Sequence, residues 1–205
     1  RCLFPVRQRI LPATPLTPPP VSFYLRQLVN ANLRRKRIAS VLAVWHNAPN
    51  GLKLVIVHNH YRPGGVRRVI ELATPWLCRG LRPPVREIVL TGGEPPEARW
   101  LRDFRTRVAP VAVHCRTEPA LSYLAEQNGP THSIADRIAN FLNAILSPAG
   151  DEPVVIWAHN QGLGRNLLLT RELARGAAQT GARLLFYHHD WWFDNRWQRW
   201  PEMRR

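Results

Sequence analysis

Five short polar stretches, each placed after a run of apolar residues, hold most of the side chains in this sequence that could do chemistry. They are HNHYRPGG from His58, TGGE from Thr91, HC from His114, HNQGLG from His159 and HHDWWFDN from His188. Imidazoles can move protons, orient hydroxyls or ligate a metal, and asparagine and aspartate can fix a polar substrate. Gly64-Gly65 is different in kind. It stands directly before a helical pattern, where free N–H groups and the helix dipole attract an anion and the missing side chains allow close approach. The same pair could equally be a tight turn, and the residues alone leave both readings open.

Several chemistries lack their required spacing. His58-x-His60 and His188-His189 suggest a metal, but zinc needs three or four convergent ligands and adjacent histidines point different ways; no metal is expected. A serine hydrolase of the nucleophile-elbow kind needs G-x-S-x-G, which is absent. Neither G-x-G-x-x-G nor G-x-x-x-x-G-K-[ST] occurs. In HHDWWFDN, His189 and Asp190 could hydrogen-bond a hydroxyl-rich substrate, and Trp191 and Trp192 offer flat faces suited to sugar rings. Packing against a neighbouring domain is the other use of such tryptophans, and it is the one expected of Trp197 and Trp200.

The elements that must position these residues follow from periodicity. Leu52–Val57 is a short, nearly continuous apolar run, as in a strand buried on both faces. Val66, Val69, Ile70, Ala73, Trp76 and Leu77 recur at helical spacing up to Gly80, with Pro75 expected to kink or shorten the helix. Arg86–Thr91 reads as a second strand ending at a Gly92-Gly93 turn, and Val108–Val113 as a third. SIADRIANFLNAILSP is a helix with Ser133 as N-cap and a stripe of Ile134, Ile138, Phe141, Leu142 and Ile145. Val154–Ala158 is a fourth strand, RNLLLTRELARGAAQTG a helix stopped by Gly181, and Arg183–Tyr187 a fifth strand. This alternation predicts a doubly wound α/β domain with a mainly parallel sheet and helices on both faces. Ligands of such sheets bind beyond the carboxyl ends of the strands, where the polar stretches fall.

Composition sets the bounds. The chain has 205 residues, 45% of them hydrophobic, enough for a core of one or two domains. The formal charge is +15, but residues 1–50 carry eight basic residues and no acidic one, so from Gly51 onward 21 basic against 14 acidic residues leave +7. Nearly all the basic residues are arginine, as a GC-rich coding sequence produces unselected. A dedicated nucleic-acid binder is therefore not expected, and an anionic lipid surface is the better match for the surplus. Cys2, Cys78 and Cys115 are odd in number and without CxxC, which fits a reducing compartment rather than a disulfide framework. The expected location is cytoplasmic, with peripheral contact at the inner face of a membrane. Residues 1–50, with LPATPLTPPP, are expected to be a poorly ordered, basic extension, and residues 51–205 the patterned domain. The start at Arg1, the lone methionine at Met203 and the end after RWPEMRR suggest a piece of a longer frame.

VHNHYRPGGVRRVIELA resembles the first strand, glycine loop and helix of retaining GT-B glycosyltransferases, the group that includes sucrose and glycogen synthases and bacterial mannosyltransferases. HHDWWFDNRW is similar to the His-Asp or His-Glu element after a later strand of the same domain, so the resemblance runs from about Leu52 to the end. It implies a Rossmann-like domain forming the acceptor-side half of a GT-B enzyme, with the nucleotide-binding half missing from this sequence. It implies that Gly64 and Gly65 approach the diphosphate or transferred sugar of a nucleotide-sugar donor. His189 and Asp190 would lie beside that sugar or the acceptor hydroxyl as catalytic residues, with His58, Asn160 and Trp191 lining the substrate site. The acceptor would be a glycan, a lipid or a small molecule, the transfer would retain anomeric configuration, and neither cofactor nor metal would be needed. A non-catalytic α/β module gripping a nucleotide, an anionic ligand or a partner protein through the same loops is the alternative.

Overall fold

The structure, a computed structural model, describes residues 51–147 and 152–189. The extension at 1–50, Asp190, Trp191 and the later tryptophans lie outside the described residues. Within them, the apolar runs pair into one five-stranded, all-parallel sheet in the order β3-β2-β1-β4-β5. The strands are β1 (Leu52–Val57), β2 (Val85–Gly92), β3 (Ala112–Thr117), β4 (Val154–His159) and β5 (Arg183–Tyr187). Between them run α1 (Gly65–Gly80), α2 (Ala98–Val108), α3 (Thr131–Leu146) and α4 (Leu167–Thr180). This is a Rossmann-like doubly wound sheet, whose strand order reverses between β1 and β4.

Alternation along the central strands divides the core in two. Val55 and Val57 of β1 join Val154, Ile156 and Ala158 of β4 against Ile134, Ile138, Leu142, Leu169 and Leu173 of α3 and α4. Leu52, Leu54 and Ile56 join Ile88, Leu90 and Trp157 on the other face, against Ile70 of α1 and Trp100, Phe104 and Val108 of α2. A strand covered on both faces has no room for a polar side chain until it leaves the sheet, which is why the chemistry collects at the strand ends.

Five local expectations need correction. The stretch expected as a third strand holds the end of α2, and the strand begins later, at Ala112. Pro110 lacks the N–H a ladder requires, while Trp100, Phe104 and Val108 make a buried stripe at helical spacing. His114 and Cys115 are consequently inside the edge strand β3, with His114 exposed, rather than in a loop beyond it. Helix α3 starts at Thr131 behind Pro130, so Ser133 falls within the first turn and is not the N-cap. Helix α1 is not shortened by Pro75 and runs on to Gly80: buried Ile70 and Thr74 anchor it, and Glu71 pairs with Arg68 (3.0 Å) and with Arg107 of α2 (3.1 Å). Trp76, counted from its spacing as part of the apolar face, is instead 71% exposed.

The two glycine pairs turn out to be physically unlike. A Cβ on Gly92 would stand 2.6 Å from the His58 carbonyl, and one on Gly93 would stand 1.9 Å from Ser122 Oγ and 2.7 Å from the Ser122 nitrogen. Those glycines let the β2 end pack against the neighbouring loops. Gly93→Ala should therefore destabilise the domain by about 1–3 kcal/mol, the usual cost of overpacking, seen as a lower urea midpoint at unchanged m-value; an unshifted midpoint would contradict this packing.

Candidate functional site

The loop after β1 is held rigidly by its own side chains. Asn59 Nδ2 donates to the Leu121 carbonyl (2.7 Å), and the Gly93 N–H donates to the Asn59 carbonyl (2.8 Å). Tyr61 is buried, donates its hydroxyl to the Ile56 carbonyl (2.9 Å) and accepts from the Thr91 N–H (3.2 Å). Its ring stacks on Trp100, which stacks on Phe104. The opposite wall is fastened by Asn166, which caps α4 by accepting from the Leu169 N–H (3.1 Å) and donates to the carbonyls of Ala120 (2.9 Å) and Ser122 (2.7 Å). The Leu124 N–H donates to the Arg165 carbonyl (2.8 Å), fixing the loops that carry Tyr123 and Arg165 beside each other.

These walls enclose a pocket of about 190 Å³ at the carboxyl ends of β1 and β4. His58, His60, Gly64, Gly65, Tyr123, Asn160 and Arg165 are among the residues lining it. Helix α1 opens into it with Gly64 as an N-cap that makes no side-chain hydrogen bond and with no acidic residue in the first turn. Among the described residues the first-turn N–H groups therefore have no side-chain acceptor at the positive end of the helix dipole. Among the described residues a Cβ on Gly65 would meet no atom within 4 Å, and one on Gly64 only the Arg62 carbonyl at 3.9 Å. Neither glycine has a left-handed backbone conformation. Packing among the described residues therefore gives no reason for this pair, in contrast to Gly92-Gly93; what it provides is open space in front of the helix.

Three arginines line the pocket, and their charges are differently disposed. Arg62 is paired with Glu94 through two bonds (2.8 and 3.0 Å), and Arg67 lies 3.5 Å from Glu97. Arg165 lies over the Tyr123 ring (5.1 Å) and has no carboxylate partner among the described residues. Tyr123 Oη is in turn 2.9 Å from His60 Nε2. The described lining contains no Asp or Glu. The charge of that lining is therefore positive, which suits phosphate or another oxyanion.

Behind the pocket lies a cluster of imidazoles. His58 is 5% exposed and His159 fully buried, with ring centroids 6.4 Å apart. His159 Nδ1 is 2.9 Å from His189 Nε2, and the His189 N–H donates to Asn160 Oδ1 (2.7 Å). Asn160 sits in the left-handed region (φ 58°), which asparagine tolerates, and so turns the chain from β4 across the pocket floor. Burial drives the pKa of His58 down to about 4, with His60 adding repulsion, and that of His159 to about 3, with His189 and His58 adding repulsion. Burial also lowers that of His60, helped by Arg62. At neutral pH His58 and His159 are thus uncharged, able to accept as well as donate. His58 Nδ1 and His159 Nε2 are buried without a hydrogen-bond partner among the described residues.

Of the residues expected from sequence, His58, Gly64, Gly65 and Asn160 line one pocket. His189 stands behind it on His159, and His188 is exposed beside Phe186, so the adjacent pair does diverge. Asp190 and Trp191 are outside the described residues. Among the described residues no group of three or more His, Cys, Asp or Glu could hold a metal ion, and no helix is long and apolar enough to cross a membrane. Cys78 and Cys115 are free. Tyr123 and Arg165 were not singled out by the sequence: each comes from a loop without a motif, and only the fold places them together. No family model matches the chain, and neither a curated protein nor a solved structure matches it.

The histidine cluster predicts a pH dependence. An imidazole whose folded pKa is depressed below the ordinary value contributes stability that is complete above about pH 6.5. That stability is lost as pH falls toward about 4 for His58 and about 3 for His159. Urea unfolding between pH 7 and 4 should show stability falling as pH falls, with His159→Gln flattening the slope by about one proton. A flat profile in the parent chain would contradict the neutral buried pair.

Proposed function

We propose that this domain is the acceptor-side half of a retaining GT-B-type glycosyltransferase, with phosphate of a nucleotide-sugar donor held at Gly64-Gly65. The observation that carries the proposal is the open N-terminus of α1 sharing with Arg165 a pocket whose described lining holds no carboxylate. In transfer from a nucleotide sugar the bond between the anomeric carbon and the diphosphate breaks while an acceptor hydroxyl attacks, and negative charge grows on the leaving oxygens. Fixed N–H donors and an arginine aimed at that charge lower the barrier because they need no reorganisation as it develops. Uncharged His58 and His60 can hydrogen-bond sugar hydroxyls without competing for the phosphate, and His189 acts behind them by fixing His159 and Asn160.

The pocket's size supports a shared site. At about 190 Å³ it accommodates a diphosphate or one sugar ring, but it is smaller than the ~300–1,000 Å³ of sites that enclose a whole small molecule. The remainder of a nucleotide sugar would rest on a second surface, and closure of that surface would exclude the water that otherwise hydrolyses the donor. The alternative, a non-catalytic module binding an anionic ligand, is favoured by the lack of a carboxylate base in the described lining.

A panel of nucleotide sugars assayed for transfer with the complete protein separates the two. Gly65→Val should lower transfer by roughly a hundredfold through bulk at the phosphate, and Arg165→Ala by at least tenfold through lost charge stabilisation. Gly65→Ala should leave thermal stability unchanged, since nothing lies within 4 Å of the added carbon. Normal transfer by a folded Gly65→Val protein would overturn the site. Binding of nucleoside diphosphates without transfer from any donor would establish the binding module instead.

A further inference from the structure

Four large apolar side chains are exposed among the described residues, and all four lie on one side of the sheet. Leu72 (47% exposed) and Trp76 (71%) are on α1, which covers that side together with α2. Leu185 (54%) and Tyr187 (44%) are on the edge strand β5. Their register partners are Trp157 and His159, and Trp157 belongs to the core beneath α1 and α2, so their side chains point to the same side. On α1, Leu72 and Trp76 are one turn apart and share a flank. The flank toward α2 is a separate surface, occupied by Arg67 and Glu71 through their pairs with Glu97 and Arg107.

The stretch of sequence that follows Leu72 is basic. Between Glu71 and Glu87 the chain has no acidic residue and three arginines, Arg79, Arg82 and Arg86. None of the three makes an ion pair among the described residues, although Arg62, Arg68, Arg107, Arg137, Arg171 and Arg175 all do. The Arg79 guanidinium lies over the Trp76 ring at 4.5 Å. Arg82 is fastened to the C-terminal carbonyls of α1, donating to those of Arg79 (2.9 Å) and Leu81 (2.8 Å). An exposed indole under a guanidinium, with a leucine one turn away and unpaired arginines beyond, matches the layered chemistry of a bilayer surface. Indoles favour the headgroup boundary, apolar side chains reach the first acyl carbons, and arginines meet anionic headgroups.

We propose that this flank of α1 is a docking surface for an anionic lipid layer. It is separate from the phosphate pocket: Trp76 lies eleven residues along the helix from Gly65, about 16 Å at 1.5 Å per residue. It does not rest on the glycosyltransferase reading. Docking through it would hold the domain at a membrane with the open end of the pocket, at the other end of the helix, still accessible. A second copy of the chain is the less well matched occupant, because two like-charged arginine clusters would have to meet.

Cosedimentation of the full chain with phosphatidylcholine vesicles, with and without phosphatidylglycerol, tests the proposal. Binding should require phosphatidylglycerol and weaken with salt. Because the basic residues of 1–50 are attracted to any anionic surface, the deciding arm is the apolar pair. Leu72→Ala/Trp76→Ala should reduce partitioning by roughly tenfold with circular dichroism unchanged, and Arg79→Ala/Arg82→Ala should reduce it severalfold and blunt the salt dependence. Unchanged partitioning of the Leu72→Ala/Trp76→Ala protein would overturn the proposal. A lowered melting temperature with unchanged partitioning would assign the patch to another segment of the same chain. Loss of a dimer with unchanged partitioning would assign it to a second copy.

Discussion

The pairing of β1 on both of its edges is the constraint on which the site depends. Parallel neighbours β2 and β4 occupy its two sides, so the chain leaving β1 must rise off the sheet toward α1. The chain that arrives at β4 comes from α3, on the opposite face. Connections that diverge in this way leave a crevice at the reversal of strand order, and no side chain of the strands can fill it. Gly64-Gly65, Asn160 and Arg165 stand around that crevice because topology puts their loops there. The glycines keep it open.

The chemistry of the crevice follows from its electrostatics. Histidines that burial keeps neutral supply hydrogen bonds without adding charge, and glutamates outside the lining offset Arg62 and Arg67. What remains positive is the α1 N-terminus and Arg165. Under the proposed function, such a site would distinguish an oxyanion from a neutral sugar by charge, and one hydroxyl pattern from another by the imidazoles behind it. The buried imidazoles carry a cost in stability when acidified, which is the usual consequence of placing titratable groups in a core.

Much of this was readable from the sequence, for identifiable reasons. Leu52–Val57 and Arg183–Tyr187 stand out because a strand within a parallel sheet or along its edge leaves a compact apolar run, and Gly181 ends α4 with a left-handed turn (φ 74°). The class of fold followed from the alternation of elements. Helix α2 was missed because its buried stripe, Trp100, Phe104 and Val108, is only one residue wide and is interleaved with arginines. Reading across Pro110 then misplaced the third strand and with it His114. The Tyr123–Arg165 side of the pocket could not be read at all: those residues are 42 apart in sequence, and what joins them is the backbone contact of Leu124 with Arg165 and the Asn166 bonds to the β3–α3 connection. Local sequence encodes periodicity; it does not encode which loops meet.

A phosphate-bearing ligand on the N-terminus of α1, as proposed, would lie against the amides of the first helical turn. The decisive measurement is amide chemical-shift mapping of the labelled protein, titrated with a nucleoside diphosphate and, separately, with the free sugar of the best donor. The diphosphate should move the amides of Gly65, Val66 and Arg67 most, with accompanying shifts of the His58 and His60 rings, and the free sugar should leave those amides nearly unmoved. Saturable binding whose largest shifts lie away from Gly65–Arg67 would contradict that placement.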